Sequence, residues 1–213
     1  MDYIICNGRY DAWVTTLSRQ YIYQFKDMLT QAKFSHVTFV ADIPSSYQCI
    51  GDEIVATESG YIPIDIIFKT TKASAANIGS AFWTDGSADD DTIHVNVKID
   101  PKLFPGAMND FIAEIKDVLR HELEHVAQFN LTDKAQIERF NCVPFHKYLT
   151  LRHEVPAFVM GLHKKAKTLK QPLSEVFEDF FSTYIDSFQC NLEIDNVRIA
   201  WTEYAIQKIR NFH

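Results

Sequence analysis

Residues 118–129, VLRHELEHVAQF, lie in a longer stretch whose apolar positions recur with helical period and whose centre carries two histidines and two glutamates. At about 100° per residue, with His121 at zero, Phe111, Val118 and Phe129 fall at about 60–80° and Ile115 at about 120°. Ile112, Leu119, Leu123 and Val126 carry that arc to roughly 200°. Glu122 falls at about 100°, inside the apolar sector, and His121 and His125 sit beside one another on its edge. Lys116, Asp117, Arg120 and Glu124 take the opposite side, which reads as polar. A solvated ion-pair cluster would put Glu122 on that wet side, and the pattern does not.

A carboxylate on a buried face costs several kcal/mol unless it is paired, hydrogen-bonded or next to a cation. A divalent metal held by His121 and His125 would offset that cost, because the i, i+4 spacing brings both imidazoles within reach of one ion. With 8 His in 213 residues, the HExxH pattern is expected by chance only about 0.015 times. The helix therefore reads as a metal seat with its own base.

The length fits one domain, residues 1–213, with a helix-plus-sheet part (1–105) and a part holding the active-site helix and further helices (106–213). A formal charge of -7 speaks against nucleic acid, which needs a basic surface. The one basic run, HKKAKTLK at 163–170, reads as the solvated C-terminal end of a helix. No apolar run of about 18 residues predicts a membrane span. The N-terminal MDYIICNGRYDAW lacks the features of a signal peptide. Cys6, Cys49, Cys142 and Cys190 are scattered and read as reduced core residues. These features together predict a cytoplasmic, cytosol-like location.

Helical spacing runs through residues 10–34, with Trp13, Leu17, Tyr21, Phe25 and Leu29 on one face. Short β-branched and aromatic stretches at 36–42, 52–57 and 61–69 predict strands. The clearest strand is TIHVNVKID, 92–100, in which Ile93, Val95, Val97 and Ile99 alternate with polar residues. The acidic SADDD at 87–91 lacks the pattern of a calcium loop and predicts a solvated turn. A long helix is expected over 107–129, then helices over 156–169, 172–188 and 196–212. Phe177, Phe181, Trp201 and Tyr204 are their expected core residues, and Pro172 or Ser174 marks the start of the second. Strands followed by helices indicate an α+β fold with a small mixed or antiparallel sheet.

HELEH (121–125) is the HExxH signature of the zincin metallopeptidases, and the strand at 92–100 feeding that helix resembles their layout. The resemblance covers residues 92–162, about a third of the chain. It implies a zincin-like fold whose sheet edge lies above the active-site helix and pairs with the substrate backbone as an added strand.

A catalytic zinc takes a third protein ligand. The metzincin continuation HExxHxxGxxH is absent, since Gln128 stands where the glycine should be and Leu131 where the third histidine should be. That leaves the gluzincin pattern, in which the third ligand is a glutamate from a later helix. YLTLRHEVPAFV at 148–159 resembles the Tyr-then-ExxA segment of compact gluzincin-like peptidases, and that match makes Glu154 the ligand. His153 is the rival ligand, with Glu138 and His146 behind it. Pro156 departs from the pattern, standing where related segments often carry a second acidic residue.

The resemblance implies a Zn2+-dependent peptidase acting on a peptide or protein, with Glu122 as general base toward the attacking water and acid toward the leaving amine. Tyr148, His153 and His163 are the candidates for a second oxyanion donor. The competing class is a zincin-fold structural or binding protein, such as a viral or assembly component, that holds zinc without turnover. A closed structural site favours four protein ligands and has no use for a base, which speaks against that version. A metal-free interaction module in which HExxH is accidental is the third reading. Nothing in the sequence sets substrate preference or oligomeric state.

Overall fold

The structure is a computed structural model that describes residues 7–31, 33–50, 53–89, 91–129 and 143–209. Helix α1 (Asn7–Gln31) leads into strand β1 (His36–Ile50) and strand β2 (Glu53–Lys72). A short helix α2 (Ala75–Ile78), strand β3 (Phe82–Ala88) and strand β4 (Thr92–Ile99) follow. A 3-10 turn (Phe104–Ala107) opens onto helix α3 (Met108–Phe129). The remaining elements are α4 (Phe145–Tyr148), α5 (Glu154–Leu169), α6 (Leu173–Thr183), a 3-10 turn (Ile185–Ser187) and α7 (Asn191–Lys208). The fold is mixed α+β.

The sheet order is β1-β2-β4-β3. β1 runs antiparallel to β2, β2 parallel to β4, and β3 antiparallel to β4. The stretches 52–57 and 61–69, expected as separate strands, join in the single strand β2, whose partner β1 carries a register shift between Ser45 and Tyr47. Strand β4 follows its sequence pattern: Ile93, Val95, Val97 and Ile99 are all fully buried. It is internal, and one edge of the sheet is β3, which the sequence reading missed. The periodicity of β3 is weak because its inward positions are Phe82, Thr84, Gly86 and Ala88, only one of them a large hydrophobe.

One apolar core lies between the sheet, α1 and the sheet-facing side of α3. Tyr21 stacks on Phe68 at 3.9 Å, while Phe25, Phe104 and Phe111 meet ring to ring within 5.0 Å. A fully buried side chain of this size is worth about 1.5–3 kcal/mol of transfer free energy. A second core joins α5, α6 and α7 around the fully buried Trp201. The Trp201 indole N–H donates to the Leu149 carbonyl at 2.9 Å, which fixes the end of α4 to α7. Phe177, Phe181 and Trp201 are buried as expected, with Tyr204 partly so.

The two halves meet where α5 crosses α3. Gly161 makes that crossing close: a Cβ there would come within 2.3 Å of Asp117 Oδ1 and 3.3 Å of His121 Cβ. The face of α3 expected to be polar and wet is consequently covered. Arg120 and Glu124 are fully buried and bonded to each other, Nη1 to Oε2, at 2.7 Å. The basic run at 163–170 is likewise drawn inward in part. Lys164 is buried and donates to the Asp11 carbonyl at 2.8 Å and to Thr15 Oγ1 at 3.0 Å. No helix among the described residues is long and apolar enough to cross a membrane. Glu138, Leu131, Cys6 and Cys142 lie outside the described residues, and Cys190 is a free, exposed thiol.

Candidate metal centre

The fourth and fifth turns of α3 carry His121 and His125, and the first turn of α5 carries Glu154. The helical repeat stacks the two imidazoles, whose Nε2 atoms are 3.1 Å apart. Glu154 Oε2 lies 3.3 Å from His125 Nε2 and 3.6 Å from His121 Nε2. One donor atom from each of the three residues falls within 4.8 Å of the others, and they are the only such His/Cys/Asp/Glu group among the described residues.

Burial decides the charge of His121. Burial holds the His121 imidazolium pKa well below its ordinary value, with the charges of His125 and Arg120 acting in the same direction. His121 is therefore neutral at pH 7, the form that ligates metals. Glu154 Oε2 is buried with no hydrogen-bond partner. An orphaned carboxylate oxygen facing two ring nitrogens fits a divalent ion, and the donor set of two histidines and one glutamate is that of catalytic zinc sites with an open position.

The other sequence candidates separate clearly. His153 lies 3.6 Å from Glu154 Oε1, beside the carboxylate and outside the converging set. His146 Nδ1 pairs with Glu193 at 3.0 Å. His163 is surrounded by Lys167, Asp11, Arg120 and Lys164 on the far side of α5, and burial pulls its pKa down to about 4. Tyr148 stands at the centre: its hydroxyl hydrogen-bonds Glu154. Burial, then the Glu154 charge, pushes its pKa above the ordinary tyrosine value, so it remains a neutral donor. Phe158 packs edge-on to both His121 and Tyr148, at ring separations of 4.6 and 5.7 Å.

Glu122 is 6% exposed and has no hydrogen bond or ion pair among the described residues. Burial pushes its pKa up to about 8; His125 opposes that shift, and Glu154 and Asp85 add to it. A divalent ion in the neighbouring seat would oppose that shift and favour the carboxylate, the form that can accept a proton. Glu122 borders a cavity of about 410 Å³ that is also lined by Gly86 of β3 and Val118 of α3. A Cβ on Gly86 would come within 2.5 Å of Glu122 Oε1 and 2.6 Å of Val118 Cγ1. The edge strand thus lies directly against Glu122, and only glycine permits that approach.

Gly86 is the site residue the sequence reading missed. A glycine within a strand marks close backbone approach, but the signal is legible only once residues 82–88 are recognised as a strand. Asp117, against Gly161 and also lining the cavity, is the other. The chain matches no protein-family model, no curated protein and no solved structure.

Proposed function

We propose that this chain is a zinc-dependent peptidase of zincin-like, gluzincin-type architecture. The observation that carries the reading is one juxtaposition: Glu122, buried and unpartnered, sits one residue from a three-donor seat and opens onto a cavity under a free sheet edge. His121, His125 and Glu154 would hold the ion. The chemistry zinc supplies in such a seat is Lewis acidity toward a water and a carbonyl oxygen.

The chain's own groups do the rest. Glu122 takes the proton of the attacking water and returns it to the leaving amine. Tyr148 donates its one O–H to Glu154; an ion held by Glu154 would compete for that carboxylate and free the hydroxyl to donate to the developing oxyanion. The outer edge of β3 offers backbone groups that an extended substrate can pair with. Gly86 keeps that strand within reach of Glu122. The same reading places the chain in a cytosol-like compartment, with which the free thiol of Cys190 is compatible.

The test is metal content and peptide hydrolysis measured on the same samples of wild type, Glu122→Gln and Glu154→Ala. Wild type and Glu122→Gln are expected to carry one zinc, and Glu154→Ala to lose it. Cleavage by Glu122→Gln should fall by about 10²–10⁴. Zinc without cleavage of any peptide would favour a structural seat. No zinc after supplementation would sink the proposal. A narrower check is Gly86→Ala, which should cut hydrolysis by more than about tenfold with zinc retained, because about 1 Å of misplacement can cost far more than binding.

A further inference from the structure

We propose that the cavity beside Glu122 is a side-chain pocket for lysine or arginine, the residue that begins the leaving fragment when the bond is cut. The inference rests on the peptidase reading for which residue enters, and on the pocket's own chemistry for which side chain fits.

Glu122 fixes the register. It is nine-tenths buried, without a partner, and faces into this cavity. Any substrate whose leaving amine must collect a proton from Glu122 places the first side chain beyond that amine in the same space. The apolar part of the lining is formed by Val118, Phe158, Leu162 and Phe180, and Val118 lies beside Glu122 against Gly86. Such a collar suits the methylene stem of a long basic residue, which buries its hydrocarbon and keeps its charge at the tip.

The same lining is strongly acidic. Asp117 and Glu114 lie four and seven residues before His121 on the same side of α3. At ~1.5 Å per residue they stand about 6 and 10 Å up the helix axis from His121. Asp85 and Asp179 add carboxylates from β3 and α6, against the single cation Lys165. Lys165 is already engaged, since its Nζ donates to Glu114 Oε1. Asp117 has no hydrogen bond or ion pair of its own among the described residues. Burial, then the Glu114 charge, raises its pKa to about 8, a cost that an arriving cation relieves. A metal ion does not answer this need, because these carboxylates form no converging group. An extended ammonium or guanidinium does.

Binding can be measured without turnover. Titrations of n-butylguanidinium and its neutral isostere n-butylurea into the full chain should show the guanidinium binding at least about tenfold tighter. Asp117→Asn, which keeps shape and removes charge, should erase that difference. Lys165→Met, which removes the resident cation, should widen it, an opposite sign that damage to the fold would not produce. Equal binding of the two probes, or a preference that survives Asp117→Asn, overturns the proposal.

Peptides differing only at the residue after the cut, with arginine, lysine, norleucine or glutamate there, then separate the two readings. Cleavage with no preference for arginine or lysine overturns the pocket and leaves the peptidase standing. Guanidinium binding that depends on Asp117, with no peptide cut by zinc-loaded protein, upholds the pocket and overturns the peptidase.

Discussion

Helix α3 is buried on two sides, and the two sides are built from different chemistry. Toward the sheet it presents Phe111, Ile115, Leu119 and Val126, all fully buried in hydrocarbon. Toward α5 and the start of α1 it presents Asp117, Arg120, His121 and Glu124, with Glu154 facing His121 and Asp11, itself paired with Lys164, facing Arg120. The first side holds the helix in place through area removed from water, which is insensitive to the exact partner. The second side holds charges that are tolerable only while their partners stay in position. The base and metal seat proposed above would need the second kind of environment, and the first kind would keep it rigid enough to be useful.

The contrast can be broken most severely on the dry side. Phe111→Ala removes a ring that touches Tyr21, Phe25, Phe82 and Phe104, and should lower unfolding free energy by about 3–5 kcal/mol. Chemical denaturation checks this, and a loss under about 1 kcal/mol would mean that the core is not continuous there.

On the charged side the single and the double change should diverge. Arg120→Met leaves Glu124 buried without its cation and should cost about 3 kcal/mol or more. Arg120→Met with Glu124→Leu removes both charges, and replacement of buried pairs by apolar residues is often neutral or stabilising by about 1–4 kcal/mol. The double variant should therefore be more stable than the single one. If the two losses simply add, Arg120 and Glu124 are not coupled as their 2.7 Å contact implies.

This second face is where sequence reasoning stopped. The wheel placed Glu122 on the buried arc and His121 and His125 at its edge, because hydrophobic periodicity reports one apolar stripe well. It assigned Arg120 and Glu124 to solvent, because a single helix does not reveal that another helix will arrive with matching charges. Lys164 and Asp11, about 150 residues apart, complete that match. The same blindness to distant partners hid β3, whose glycine and small residues carry little alternation. Glu154 was found through a segment likeness, since nothing local distinguishes it from an ordinary acidic residue at a helix start.

Asp117 gives a smaller, pH-dependent effect. Its native pKa of about 8 is above the ordinary aspartate value near 3.8, so over that window the native state holds a proton that the unfolded chain has lost. Stability contributed by this group is full below the lower value and declines as pH rises toward the upper one. Asp117→Asn removes the decline. Its melting temperature should exceed that of wild type by more at pH 8 than at pH 5, and an equal offset at both pH values would show that Asp117 titrates normally.

The smallest effect belongs to a polar pair inside the dry core. Tyr21 Oη and Thr70 Oγ1 are 2.9 Å apart, with Tyr21 fully buried and Thr70 nearly so. Tyr21→Phe keeps the ring on Phe68 and deletes one hydrogen bond, leaving the threonine hydroxyl without that partner. The expected loss is about 1 kcal/mol. Tyr21→Phe with Thr70→Val deletes both polar groups and should recover most of it, as replacement of both partners by apolar groups is nearly neutral. On this face a polar pair is dispensable because hydrocarbon can fill its place. On the other face the same exchange at Asp117 or Glu154 would remove a group that the proposals above assign to a ligand, and stability alone would not register that loss. A denaturation series on the Tyr21 and Thr70 variants, set beside the zinc and guanidinium titrations of the Asp117 and Glu154 variants, distinguishes polar groups kept for folding from those kept for a ligand.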